Sequence, residues 1–224
     1  IDILPPLKRF AEGWKYIEEA YAVLEKKMLN EAYGRIQAFL YGEDLQKKGL
    51  KLLLQKMGGE KFVEFLADKF FNDQNTLISL FSRLSFFDKT APKDVRKIGI
   101  YYYHMSYGGV QRVLSILMPL FLEMGYEICV ILDTPLDNNG FKLPSGIKVC
   151  YLPPSVKVTK DNIKDRIKNL TDIIQEEKID VLYYNAYSSQ TFLWDLMACK
   201  IVANIPFVVH HHTCAAFRLA WNRN

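Results

Sequence analysis

Residues 97–132, KIGIYYYHMSYGGVQRVLSILMPLFLEMGYEICVIL, decide how this chain is read. An apolar run, Lys97–His104, is followed by the double glycine Gly108-Gly109. A long apolar stretch, Val110–Met124, comes next, then Gly125 and a second apolar run, Tyr126–Leu132. Runs of this length bounded by turn residues read as strand, turn, helix, strand. A double glycine in that place is either a plain turn or a point where backbone comes close to a ligand. Glycine permits positive φ and close approach, and the helix that follows offers unpaired N–H groups with partial positive charge.

The same grammar continues to the end of the chain. Ile147–Leu152 reads as a strand, and Ile163, Ile167, Leu170 and Ile174 mark a helix. Asp180–Tyr184 reads as a fourth strand, Ser189–Ala203 as a helix capped by Ser188 or Ser189, and Phe207–His211 as a fifth strand. Near-continuous apolar strands such as ICVIL and PFVVH predict burial on both faces, hence a parallel sheet between helices. Right-handed crossovers make that an α/β, doubly wound, Rossmann-like unit. Pro119 falls inside the predicted helix after the double glycine, where it removes a backbone hydrogen bond and predicts a kink.

Residues 1–93 read differently, as an all-α helical region. Trp14, Ile17, Tyr21, Leu24 and Met28 recur at helical spacing. So do Phe62, Phe65, Leu66 and Phe70, and again Leu77, Ile78, Phe81 and Leu84. Breaks are expected at Tyr41-Gly42, Gly58-Gly59 and Asn72–Asn75. The division is therefore a helical region over 1–93, closed by a linker, and a Rossmann-like domain over 94–224. The helical part has neither histidine nor cysteine and reads as a packing module.

Composition is that of a globular chain: 50% apolar and 24% charged, with a net charge of +4. Neither half is a basic arm, so nucleic acid is not an expected partner. Peripheral contact with an anionic membrane surface is left open by the charge but not argued by it. The four cysteines are widely spaced with no C-x-x-C pair, which predicts free thiols in a reducing, cytoplasmic setting. No window approaches ~20 uninterrupted apolar residues, so no transmembrane helix is expected.

Three loops fall at the carboxyl edge of the predicted sheet, where open parallel sheets bind ligands. They are His104–Gly109, Tyr183–Ser189 and Val208–Cys214. Neither G-x-G-x-x-G nor G-x-x-x-x-G-K-[ST] is present, which disfavours dinucleotide and P-loop chemistry. Asn185 and Ser188 can hydrogen-bond a polar ligand, with helix capping the simpler role for Ser188. Alternation along a strand puts His210 and His212 on one face and His211 on the other. Two histidines with Cys214 or His104 fit no standard zinc spacing, and no metal is expected.

The stretch MSYGGVQRVLSILMPLFLEMGYEICVIL, together with KIDVLYYNAY and IPFVVHHHT, resembles the N-terminal, acceptor-side domain of group 1 glycosyltransferases. These are retaining enzymes of the two-domain GT-B fold. Gly108-Gly109, Gln111-Arg112 and Gly125-Tyr126-Glu127 stand where the family has Gly-Gly, an acidic residue with Arg, and Gly-His. Tyr184 and Asn185 replace a family histidine, and His212 ends the proline-led strand. The resemblance spans about 120 residues, from Lys97 to Cys214. It implies metal-independent sugar transfer from a nucleotide-sugar donor to a glycan or lipid-linked acceptor, with no resident cofactor. His212 takes the catalytic position, and Gly108, Gly109, Arg112, Asn185 and His210 contact substrate or donor. The absence of any D-x-D agrees with that mechanism. The donor-binding domain with its Glu-x7-Glu motif is missing, so the chain is expected to be an inactive fragment by itself. Two alternatives stand beside this reading: a non-catalytic module of a helical domain and a Rossmann-like unit, and a sugar-nucleotide epimerase, which the missing glycine fingerprint disfavours.

Overall fold

A computed structural model of the chain describes residues 43–73, 76–78, 94–136, 140–153 and 158–212. They divide between two compact units, one drawn from Ile1–Leu66 and Phe70–Phe86, the other from Ala67–Lys69 and Phe87–Asn224. The expected stripe from Trp14 to Met28, the break at Tyr41-Gly42, Phe81, Leu84 and Cys214 lie outside the described residues.

In the first unit, helix α1 covers Glu43–Met57 and helix α2 covers Gly59–Phe70. The predicted break between them is made by Gly58, whose φ of 78° lies in the left-handed region that L side chains avoid. Phe62, Phe65, Leu66 and Phe70 are all buried, as their spacing requires. At the next predicted break, the Asp73 carboxylate accepts the backbone N–H of Thr76 at 3.1 Å.

The second unit is a five-stranded, all-parallel sheet with helices after β1, β3 and β4, a Rossmann-like α/β arrangement. Strand β1 spans Lys97–Tyr102, helix α3 Gly109–Glu123, β2 Glu127–Leu132 and β3 Lys148–Tyr151. Helix α4 spans Lys160–Glu176 and β4 Val181–Tyr184. Helix α5, Phe192–Met197, widens into a π-helical turn over Ala198–Ala203, and β5 is Phe207–Val209. The order across the sheet is β3-β2-β1-β4-β5. Strand β1 pairs with β2 on one side, Ile98 opposite Ile128, and with β4 on the other, Ile98 opposite Val181. Chain direction across the sheet reverses between β1 and β4. That is the switch point where the connecting segments part to opposite faces and a crevice opens beyond the strand ends.

Helix α3 covers one face. Leu114 and Met118 are buried against Ile98, Ile100, Ile128 and Val130, each such side chain contributing roughly 1.5–3 kcal/mol by leaving water. The helix runs on through Pro119 to Glu123 and ends at Gly125, at a φ of 89°. Helix α4 starts with a capping box: Thr159 accepts from the Asn162 N–H, while the Asn162 side chain accepts from the Thr159 N–H. It lies over the face bearing Tyr101 and Tyr184.

Two expectations fail here. Strand β5 is short and at the sheet edge, with Val208 and Val209 exposed at 45% and 39%, so PFVVH is not a strand buried on both faces. Neither Ser188 nor Ser189 caps α5; Thr191 holds the N-cap position without a side-chain capping bond. Ser189 is turned instead to the Thr191 hydroxyl at 2.7 Å. No helix among the described residues is long and apolar enough to cross a membrane.

Candidate functional site

At the carboxyl edge of the sheet, beside the β1/β4 switch point, lies a cleft of about 170 Å³. Three loops line it: Tyr102, Tyr103 and Val110 from the first, residues 185–188 from the second, and His210–His212 from the third. Asn185, His210 and His212 are therefore brought together. Gly108, Gly109 and Arg112 are not lining residues; the first turn of α3 contributes Val110 in their place.

The double glycine works otherwise than its spacing predicts. Gly108 has a φ of 168°, extended backbone open to any residue, and Gly109 begins the helix, so positive φ is used at neither. What a side chain at 108 would meet is the Gln111 amide. A Cβ there would lie 2.3 Å from Oε1 of Gln111, a buried side chain folded back over the turn. The Gln111 amide reaches His104 Nδ1 at 3.1 Å, and the Ser106 N–H donates to the same nitrogen at 3.3 Å. Gly109 has open space around it. The close approach of backbone to backbone occurs at Gly140, where a Cβ would sit 2.1 Å from the Met105 carbonyl oxygen. Phe141 N–H donates to that oxygen at 3.1 Å, bracing the loop after β1.

The histidines stand just past β5, not within it. His210 continues the ladder by one bond, its N–H donating to Tyr184 O at 2.9 Å. The rings of His210 and His212 lie together, centroids 4.0 Å apart, while His211 meets the edge of Tyr187 at 4.9 Å. The pairing expected from strand alternation is thus present without the strand. His104 engages Gln111 rather than this pair, and among the described residues no three His, Cys, Asp or Glu side chains come together as a metal-binding group. The Tyr183 hydroxyl shares a short hydrogen bond with His210 Nδ1, and partial burial raises the Tyr183 pKa, so the phenol keeps its proton. Burial, then the neighbouring His210 and His211, lower the pKa of His212, which is neutral at pH 7.

Asn185 is buried and spends its donors on the fold. Its backbone N–H reaches Tyr101 O at 3.1 Å, and its amide nitrogen reaches Tyr101 O at 3.3 Å and Tyr183 O at 3.1 Å. Its Oδ1 lies 3.0 Å from His212 Nε2. It supports the wall of the cleft through His212. Aromatic side chains complete that wall: Tyr187, half-exposed, packs edge-on against both His211 and Phe192. A ligand here would meet imidazole and phenol groups on a largely uncharged surface, suited to a polar, hydroxylated molecule. Tyr102, Tyr103 and Tyr187 escaped sequence reading. Their one legible signal is position, within three residues of the carboxyl ends of β1 and β4.

Comparison with protein-family models gives no match, and comparison with curated proteins gives none.

Proposed function

We propose that the second unit is the acceptor-side half of a retaining, metal-independent GT-B glycosyltransferase, and that its cleft binds sugar hydroxyls. The observation that carries this reading is the convergence of Asn185, His210 and His212 with Tyr102, Tyr103 and Tyr187 around one crevice at the switch point. Sugar rings stack on aromatic faces and exchange hydrogen bonds with neutral imidazole and phenol groups. The order of glycine turn, helix, second strand and strand-end histidine supports it from the sequence side. In this reading His212 and His210 contact the transferred sugar or the acceptor. The N–H groups opening α3 lie toward the donor diphosphate, whose departure needs electrostatic stabilisation more than a protein nucleophile. In that fold the leaving nucleotide is held chiefly by a second domain.

Amide shift mapping of the labelled chain against nucleoside diphosphates, nucleotide-sugars and acceptor glycans tests this. Shifts are expected at 102–110, 185–188 and 210–212. Gly109→Val, at a position where a Cβ meets nothing within 4 Å, is expected to keep the fold and weaken nucleotide binding. Failure of every nucleotide-sugar and glycan to perturb the cleft would sink the reading.

A further inference from the structure

We propose that Asn185 is a positioning residue that holds His212 in its Nε2–H tautomer, so that His212 meets a ligand as a hydrogen-bond acceptor and selects a hydroxyl over an oxyanion that carries no proton. The argument begins with the amide. Both partners of the Asn185 nitrogen, Tyr101 O at 3.3 Å and Tyr183 O at 3.1 Å, are carbonyl oxygens, which only accept. Turning the amide over would set Oδ1 against two carbonyls and leave its N–H groups facing His212. The observed orientation is therefore the one the network permits. Burial of Asn185 at 5% exposure withholds any water that could relieve the reversed arrangement.

With Oδ1 as acceptor 3.0 Å away, His212 Nε2 must carry the proton. A neutral imidazole has one N–H, so Nδ1 keeps its lone pair. None of the hydrogen bonds among the described residues uses that nitrogen, and His212 lines the cleft. A second proton is opposed by the His210 ring at 4.0 Å and by His211. Tyr183, bonded to His210, carries no charge with which to offset it. A hydroxyl can donate to Nδ1. An oxyanion oxygen that carries no proton would set one lone pair against another. This rests on the reading of the cleft as a hydroxyl-binding site but not on sugar transfer.

The test uses the full chain labelled with nitrogen-15. Long-range proton–nitrogen correlation near pH 7.5 is expected to show His212 as a single neutral tautomer protonated at Nε2. The Nδ1–H form, or an averaged spectrum, would overturn the proposal, and this readout needs no substitution. In Asn185→Leu the Oδ1 acceptor is removed, so His212 should lose its preference for the Nε2–H tautomer while the His104 ring resonances stay in place. A folded Asn185→Leu protein that keeps His212 wholly in the Nε2–H form counts against the positioning role. Sulfate, an oxyanion with no proton to donate near pH 7.5, should leave the His212 ring resonances in place; a saturable shift there would refute the preference for hydroxyl. Failure of nucleotide-sugars to bind would remove the transferase reading and touch none of these three results.

Discussion

Arg166 and Asp195 face each other as a buried fork, guanidinium Nε to Oδ1 at 2.8 Å and a terminal nitrogen to Oδ2 at 3.0 Å. Arg166 also donates to Asp133 Oδ1 and to the Tyr101 hydroxyl, each at 2.8 Å, and to Pro153 O. Asp195 Oδ2 accepts from Tyr184 and Thr191 as well, both at 2.8 Å. One guanidinium thus ties α4 and α5 to the carboxyl ends of β1, β2 and β4, beneath the strand ends that carry the cleft. Burial opposes the charge on Arg166, but the Asp195 carboxylate outweighs it and keeps the group protonated. Removing the cation would take the Arg166 hydrogen bonds from two buried carboxylates. Arg166→Met is therefore expected to lower stability by about 3–5 kcal/mol, read from urea unfolding. Arg166→Lys should also destabilise, since an ammonium cannot span the fork. A Met variant within about 1 kcal/mol of wild type would contradict the account.

The two glycines opening α3 should respond in opposite ways. At 108 a methyl group must displace Gln111 from a buried position and so break its bond to His104. Gly108→Ala is expected to cost about 1–2 kcal/mol and to release the His104 ring. At 109 a methyl meets nothing within 4 Å and stiffens the unfolded chain, so Gly109→Ala should be neutral or stabilising by about 0.4–1 kcal/mol. Parallel thermal melts decide it. Equal effects at the two positions would show that the turn, not the Gln111 contact, sets the requirement.

How far these features were legible in the sequence depends on whether they are local. The alternation from Lys97 onward exposes the strands and helices because burial on a strand or helix face imposes a period. The break at Gly58 is visible because positive φ demands glycine. The edge position of β5 was not, since Phe207–Val209 is as apolar as a central strand and only sheet order shows otherwise. Nor was the Arg166 network, whose partners lie 29, 33 and 65 residues away. Its trace was an arginine on the stripe of Ile163, Ile167 and Leu170, where a cation must have a partner. In the cleft, the histidines and Asn185 stood out by type, while the role of Asn185 required knowing which carbonyls it faces.

Cysteine chemistry offers a separate check. Cys129 and Cys199 are buried and Cys150 is partly exposed on the edge strand β3. The Cys129 thiol lies 3.7 Å from the Cys150 sulfur. Burial first, then Cys150, pushes the Cys129 thiol well above the usual range, and burial does the same for Cys199. The thiolate is the nucleophile, so of these three Cys150 should be alkylated first in the native protein. Cys129 and Cys199 should react only on unfolding. Mass spectrometry after timed iodoacetamide exposure reads the order, and early labelling of Cys129 would rule out the described packing of β2 against β3.

The last prediction concerns acid. Burial and the adjacent His210 and His211 lower the folded-state pKa of His212 below its unfolded value of 6.5. Between the lowered folded value and 6.5 the unfolded chain binds more protons at this residue than the folded one, so stability rises with pH across that window. The contribution is present above pH 6.5 and is lost as pH falls through the folded pKa. Protonation adds a second N–H while Asn185 Oδ1 can accept only at Nε2, and it sets a cation against the His210 ring. Urea midpoints measured from about pH 7.5 down to pH 5 should fall less steeply for His212→Gln than for wild type. Coincident slopes, or a steeper one for the variant, would show that His212 is not held neutral by its surroundings.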